Sequence, residues 1–445
     1  MKTIVKFDGQ KDTIQGECSA REAMEVLGLN PKDWKRTDKV VTEKAVTYTL
    51  ERVRSLALVP VVHGVPEPDE PVIEEAVIEE GATEKLEVAT TAVPEIAAGQ
   101  ITVDREELEA VLQVVCDITA KKDLMPVLGT VKVEASPENL AVTATDLEVS
   151  YLATIPAVLE KNDATAFLVD AGILYKEVKA LNKSIEDVVI TVKGDSIRIN
   201  DRCNLPATLT DDFPGIETID GVKVSIKDLK SALACVLPAV STDEARYILT
   251  GVCFDLTAGC LIGTDGFRLH RATVEKADIS QFVVPRRAAA ILAKYGAENL
   301  TVADARISAS VVGGTFTSRL IQGDYPNHAG VWPDTAQYNK VHFKAKEFLG
   351  LLPGVLPVSD SAKIEMTING RIDIKAESAT GSYNWYVPAD STLVGETKTI
   401  SINSRYIVDA IRAYASSEEI EIAFPSGYAA IVLNEQALIM PIRQQ

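Results

Sequence analysis

Six cysteines and four histidines are the side chains of this 445-residue chain best suited to bind a metal or attack an electrophile. Cys18, Cys116, Cys203, Cys235, Cys253 and Cys260 form no C-x-x-C pair, and His63, His270, His328 and His342 lack zinc-ligand spacing. The cysteines read as reduced core or surface thiols, with Cys116 and Cys235 among apolar helix positions. Carboxylates are plentiful but unclustered, and no Ser-His-Asp or Cys-His spacing marks a nucleophile. No G-x-x-x-x-G-K-[ST] loop is present to cradle a nucleotide. The pattern predicts a non-catalytic protein without metal or cofactor. What it does supply is repeated positive charge. Lys176, Lys179, Lys183, Arg286, Arg287, Lys294, Arg405 and Arg412 outnumber Asp170, Glu177 and Asp409 on three short segments, in a chain of net charge −19. Cations sorted onto recurring helices suit a phosphate backbone, which they would hold without reading sequence and in a salt-sensitive way.

Those segments recur because the chain does. A strand-to-helix opening appears as Val103-Asp-Arg-Glu-Glu-Leu108, Val224-Ser-Ile-Lys-Asp-Leu229 and Phe343-Lys-Ala-Lys-Glu-Phe348, at spacings of 121 and 119 residues. A second opening, Val169-Asp-Ala-Gly-Ile-Leu174, Val284-Pro-Arg-Arg-Ala-Ala289 and Ile402-Asn-Ser-Arg-Tyr-Ile407, follows each by 66, 60 and 59 residues. The period is that of a domain, and six half-units of similar length imply rotational pseudo-symmetry, like surface buried on like. If the units close a ring with helices inward, the cations meet a phosphate backbone at every step. Between the openings lie paired strand-like runs such as VVITVKGDSIRIND, NLTVADARISASVVGGTFTSRLI and EIEIAFPSGYAAIVLNEQALIMPI, with turns at Lys193-Gly-Asp, Gly313-Gly and Pro425-Ser-Gly. Hairpins outnumber crossovers. The fold class is therefore α+β, with antiparallel sheets and a few helices packed on one side.

Residues 1–63 read differently. MKTIVKFDG alternates like a strand, Gly9-Gln-Lys-Asp turns, TIQGE returns, Ser19-Ala-Arg-Glu opens a helix with a capping box, and KAVTYTLERV is a further strand. This order predicts a small β-grasp-like module. Residues 64–100 read as a flexible acidic linker, because Pro66 to Ala97 holds ten carboxylates against one lysine. No apolar run approaches the ~18 residues that cross a bilayer, and the N-terminus lacks a signal-peptide core, so a cytoplasmic protein is expected.

Beyond the linker, several segments fall in chain order with spacing that resembles the bacterial sliding clamp family, the β subunit of DNA polymerase III. They are Met125-Pro-Val-Leu-Gly129, Ala144-Thr-Asp-Leu-Glu148, Ala245-Arg-Tyr-Ile-Leu-Thr-Gly251, Gly263-Thr-Asp-Gly-Phe-Arg-Leu269, Val284-Pro-Arg-Arg287, Gly323-Asp-Tyr-Pro326 and Leu438-Ile-Met-Pro-Ile-Arg443. The resemblance covers about 345 residues. It implies three DNA-clamp domains, 101–221, 222–340 and 341–445, with sheets outside and helices lining a central hole. It also implies a head-to-tail homodimer around double-stranded DNA, a DNA polymerase and a clamp loader as partners through short linear motifs, and no catalysis.

By motif, the family's apolar peptide groove maps to Leu249, Thr264, Gly266, Arg268, Leu269, Pro326, Val331, Leu438, Ile439, Met440, Pro441, Ile442 and Arg443. A terminal run such as ALIMPI is an exposed apolar liability unless covered, and Met440 is a compliant contact. Lys122 and Arg287 map to DNA contacts of the family, and Lys179, Arg286 and Arg405 join them by the repeat. Asp265 reads as a turn residue. The chain departs from the family pattern at Phe267, where many relatives have His, which makes the groove rim more apolar. It departs again at the polar run SIRINDRCNL on the expected dimer edge, and in its N-terminal module. A competing expectation is a clamp-like scaffold that forms no autonomous ring and recruits or sequesters replication partners.

Overall fold

The computed structural model describes the strands Lys2–Phe7, Gln10–Gln15, Trp34–Val41 and Ala45–Arg52, and then residues 96–442 apart from 120–124, 161–163, 356–362, 369–370, 379–380, 393–397, 416–418 and 425–428. The chain divides into two compact units, Met1–Ala89 and Thr90–Gln445.

In the first unit the four strands form one sheet in the order Gln10–Gln15, Lys2–Phe7, Ala45–Arg52, Trp34–Val41. The central pair is parallel and both outer pairings are antiparallel. A parallel pair needs a crossover between its strands, as a β-grasp arrangement requires. The capping-box helix and the acidic linker lie outside the described residues. Trp34–Val41 is an addition to the sequence reading. Its Lys35, Arg36, Asp38 and Lys39 suit a sheet edge, and charge hides the alternation of an edge strand.

In the second unit, six strand-to-helix openings recur among the described residues. The strands Gly99–Asp104, Thr165–Asp170, Val222–Ser225, Phe282–Pro285, Asn339–Lys344 and Lys398–Asn403 lead into α1 (Arg105–Ile118), α2 (Ala171–Lys179), α3 (Leu229–Val236), α4 (Arg286–Tyr295), α5 (Ala345–Val355) and α6 (Ser404–Tyr414). Local chemistry starts the helices. The side chains of Asp104, Asp170 and Asn403 cap α1, α2 and α6 by accepting from the amides of Glu107, Ile173 and Arg405, each at 2.9 Å. Leu108, Val111, Leu112, Val115 and Ile118 give α1 a buried stripe at helical spacing. Helices pack in pairs, α1 on α2, α3 on α4 and α5 on α6, and α3 also packs on α6.

The sheets run through the boundaries between repeats. Val149–Glu160 pairs along one edge with Asn139–Thr145; along the other it pairs first with Gly314–Arg319 and then with Gly99–Asp104. Arg268–Thr273 pairs on one side with Cys260–Thr264 and on the other with Ala437–Ile439. Each join puts a small residue opposite a ring on the helix-facing side, Ala144 opposite Tyr151 and Gly263 opposite His270. Gly263 has no choice, since a Cβ there would stand 2.3 Å from the Val236 carbonyl oxygen of α3.

The two faces of the sheet around the second and third repeats are buried differently. On Gly251–Asp255, Val252 and Phe254 enter the large core beneath the helices, which runs continuously from Ile96 to Leu320. Cys253, between them, faces the other way into a small cluster with Leu249, Ile262, Leu269, Val283, Tyr325, Val432 and Leu438. That cluster joins the second repeat to the end of the chain on the face away from the helices.

Candidate partner groove and nucleic-acid face

The small outer cluster opens into a groove of about 240 Å³. Its walls are Leu249, Thr264, Gly266, Phe267, Arg268, Leu269, Tyr325, Pro326, Asn327, His328, Val331, Ala430, Leu438 and Met440. Nine of the sequence-assigned groove residues thus come together from three stretches distant in the chain. Phe267, Val331 and Met440 stand about half exposed at the mouth, an apolar rim over a buried floor. Strand alternation separates the tail. Leu438 faces the groove, whereas Ile439 is fully buried in the core of the third repeat. Met440 returns to the rim, its amide donating to the Phe267 carbonyl at 2.9 Å. Pro441 and Ile442 lie beyond the strand, where the Ile442 amide donates to Ser401, and Arg443 lies outside the described residues.

The Thr-Asp turns position this edge. In Thr264-Asp265-Gly266, the Thr264 hydroxyl donates to the Arg268 carbonyl at 2.5 Å, and Asp265 Oδ1 accepts from the amides of Phe267 and Arg268. Gly266 takes φ +85°. The first repeat builds the same turn with Thr145 and Asp146, and forces Leu147 into the left-handed region at φ 78°. Asp265 is a turn residue, as its setting in the sequence suggests.

Arg268 belongs to both faces. Its backbone borders the groove, but its guanidinium passes to the helix side, where it meets Asp265 at 3.0 Å, Asp409 of α6 at 2.6 Å and the Pro238 carbonyl at 2.5 Å, over the Tyr406 ring. Sequence reasoning missed Tyr325, Asn327, His328 and Ala430. The first three flank Pro326 in a Tyr-Pro-Asn-His run that itself could have flagged them. His328 Nε2 lies 3.0 Å from Asp255, which ties that loop to the strand below. Burial pushes the Tyr325 phenol far above its ordinary range, and a contact with the Thr264 backbone offsets only part of that shift.

The assigned phosphate-facing cations divide into two kinds. Lys179 of α2 and Arg405 at the start of α6 are exposed. Arg286 donates to the Val240 carbonyl at 2.8 Å, and Arg287 binds the carbonyls of Asp117 and Ile118 at the end of α1 together with the Asp146 carboxylate. Both ties brace the fold, and Arg287 still keeps its side chain 44% exposed; Lys179 and Arg405 project from their helices. Lys122 lies outside the described residues. Helix α1 offers no exposed cation, since its one arginine, Arg105, is buried on Glu106, Glu109 and the Ile185 carbonyl. Among the described residues no cluster of His, Cys, Asp and Glu is arranged to hold a metal, and no helix is long and apolar enough to cross a membrane.

Family models match two consecutive segments, residues 99–217 to the N-terminal domain of the DNA polymerase III beta subunit and residues 223–327 to its central domain. The chain is 24% identical over 381 residues to the beta sliding clamp of Staphylococcus aureus, covering 77% of this chain and 99% of the relative. It is 27% identical over 369 residues to that of Halalkalibacterium halodurans, covering 75% and 94%. Among solved structures it is similar to the beta subunit from Thermotoga maritima, with TM-score 0.69 and 24% identity over 78% of this chain and all of that one. The Bacillus subtilis sliding clamp matches with TM-score 0.69 at 22% identity over the same shares.

Proposed function

Because the chain belongs to the DNA polymerase III beta subunit family, the non-catalytic sliding clamps of DNA replication, we propose that residues 101–221, 222–340 and 341–445 are three clamp domains that close with a second copy into a ring around duplex DNA. The observation that carries this reading is that a continuous sheet crosses each of the two repeat boundaries, one sheet at the first and another at the second. A strand shared by neighbouring domains fixes the angle between them, and a fixed angle repeated along a chain builds an arc rather than a flexible string. Cations on the helix side, Lys179 and Arg405, then contact phosphates without reading bases.

The groove beside Pro326 and Met440 receives the polymerase and the loader. It suits a short segment with apolar anchors, because its floor is buried and its rim apolar, and the partner's backbone and any amide side chain meet Thr264, Asn327 and His328. A ring tethers by topology, so weak affinity for DNA is compatible with long residence.

The test is retention on circular DNA. The protein is incubated with nicked plasmid, clamp loader and ATP, and passed over a sizing column before and after the plasmid is cut once. Co-elution with the circle that disappears on linearisation is the expected result. Equal retention on circle and line would mean ordinary surface binding, and a species of one chain mass that ignores the circle would favour the scaffold reading.

A further inference from the structure

The N-terminal unit is unlike the rest of the chain in charge. Residues 1–63 hold eleven Lys and Arg against nine Asp and Glu, while the chain as a whole carries −19. Within the four strands the excess is larger, seven cations against three carboxylates. The register sorts them. Residues directly opposite one another share a face of a sheet, so Val5, Phe7, Ile14, Val46, Tyr48 and Leu50 stand together on one side. Lys2, Lys6, Lys11, Thr13, Thr47 and Thr49 stand together on the other.

The cationic side holds an arrangement that a sheet ordinarily avoids. Lys6 lies directly opposite Lys11 on strands about 4.8 Å apart, and like charges in that relation repel. Lys2 stands four residues along the same strand on the same face, about 13 Å away. Thr49 is the register partner of Lys6 on the parallel neighbour, so hydroxyl residues flank the lysines. A bound anion relieves the repulsion, and ammonium and hydroxyl groups are donors that hold phosphate oxygens. The three aromatic residues of the strands, Phe7, Trp34 and Tyr48, all stand on the opposite face. A face without a ring gives unpaired bases nothing to stack on, which favours a duplex over a single strand.

We propose that the face of Lys2, Lys6 and Lys11 is a further DNA contact, which takes the sugar–phosphate backbone of a duplex without reading its sequence. Duplex DNA carries one charge per ~1.7 Å of axis, so three lysines within about 13 Å meet several phosphates at once. A cationic unit on a chain of net charge −19 holds the duplex near a protein that would otherwise repel it. The contact is electrostatic rather than topological. It needs no closed ring, and it stands or falls apart from the ring reading.

The full chain is titrated in fluorescence anisotropy, over a range of salt, against a short labelled linear duplex from whose ends any ring slides off. Combining Lys2→Gln, Lys6→Gln and Lys11→Gln should weaken binding roughly 10-fold at low salt and lower the salt slope by about 0.9 for each phosphate no longer neutralised. Arginine at the same three positions should bind as the parent does. Lys32→Gln, Lys44→Gln and Arg54→Gln together remove the same charge from residues 1–63 outside the four strands, and should change little. Lys6→Gln alone should raise the melting temperature of the DNA-free protein, because the repelling pair is gone. If the three face variants leave affinity and slope unchanged, or if the control set weakens binding as much, the assignment is wrong. Tighter binding of a single-stranded oligonucleotide, or of polyglutamate of equal charge, would overturn the duplex as the occupant. Retention of the same variants on circular DNA tests the ring separately, so either reading can fail without the other.

Discussion

One turn sequence, Thr-Asp-x-x, is used twice with different consequences. Asp146 satisfies its own turn and anchors Arg287 from the next repeat, whereas Asp265 satisfies its own turn and orients Arg268, which reaches forward to Asp409. Each carboxylate thereby converts a hairpin into a joint. Arg268 is only 11% exposed, and its truncation would leave Asp409, Asp265 and the Pro238 carbonyl without their donor. We expect Arg268→Ala to lose about 2–4 kcal/mol of stability in urea titrations, while Arg246→Ala, whose ion pair with Asp243 is exposed, loses about 0–1 kcal/mol. The groove rim offers a functional counterpart. Phe267 is 53% exposed and lies 5.5 Å from the Arg246 guanidinium, so it contributes apolar surface to a ligand without supporting the floor. Phe267→His should weaken a labelled peptide with Leu and Phe anchors by roughly 3- to 10-fold in fluorescence anisotropy, in proportion to the apolar area removed, with the melting temperature unchanged.

Among the elements, the strands that cross repeat boundaries carry the most tightly specified chemistry. His270 sits in such a strand, fully buried, its Nδ1 donating to the Cys235 carbonyl and its Nε2 unpartnered, against Tyr414 and near Arg268, Asp265 and Asp409. Burial is the main cause that holds its imidazole at about 4, below the ordinary 6.5, so the folded state keeps it neutral. A depressed histidine contributes stability that is complete above about pH 6.5 and is lost as pH falls toward 4. The loss is on the order of 3 kcal/mol. Thermal melts from pH 8 to 4 should show this decline, and His270→Gln, though less stable at pH 8, should decline less steeply between pH 6.5 and 4. Parallel slopes for the two proteins would exclude the histidine as the cause. Element-level reading from sequence succeeded where periodicity was strong, as in α1 and in the hairpins around Lys193 and Gly313. It missed Trp34–Val41, whose charged edge-strand pattern imitates a loop, and the Pro425 turn lies outside the described residues.

For the molecule as a whole, acidic charge and DNA binding are reconciled by placement. The carboxylate-rich linker and α1 carry negative charge, while α2, α4 and α6 keep a cationic excess. The structure sorts those cations further. Arg286 and Arg287 are tied to backbone carbonyls, Arg287 with its side chain still 44% exposed, while Lys179 and Arg405 stand exposed to a passing backbone. Replacing Lys179 and Arg405 with Ala should reduce the salt slope of equilibrium DNA binding by roughly 0.9 for each phosphate that is no longer neutralised, equally on unrelated sequences, with folding stability intact. Arg287→Ala should instead destabilise the boundary between the first two repeats. If Arg287→Ala changed only the salt slope, its role as a structural tie would be wrong.

The threefold repeat of strand-to-helix openings, the α+β class and the lack of a spaced catalytic or metal-binding set are all legible in the sequence, because periodicity and residue type are local properties. Motif order carried the family resemblance and gathered Leu249, Thr264, Leu269, Pro326 and Met440 as one candidate groove. Which face each of these residues serves came from packing alone. Alternation sends Ile439 into the core while Leu438 stays in the groove, and the Arg268 guanidinium crosses to the helix side because two carboxylates and a carbonyl await it there. The same limit applies to Arg287, whose charge suggests a phosphate contact and to which the fold adds ties to the end of α1 that the sequence does not show. A side chain's charge is written in the sequence, but its partner is set by segments more than a hundred residues away, and only the folded chain brings them together.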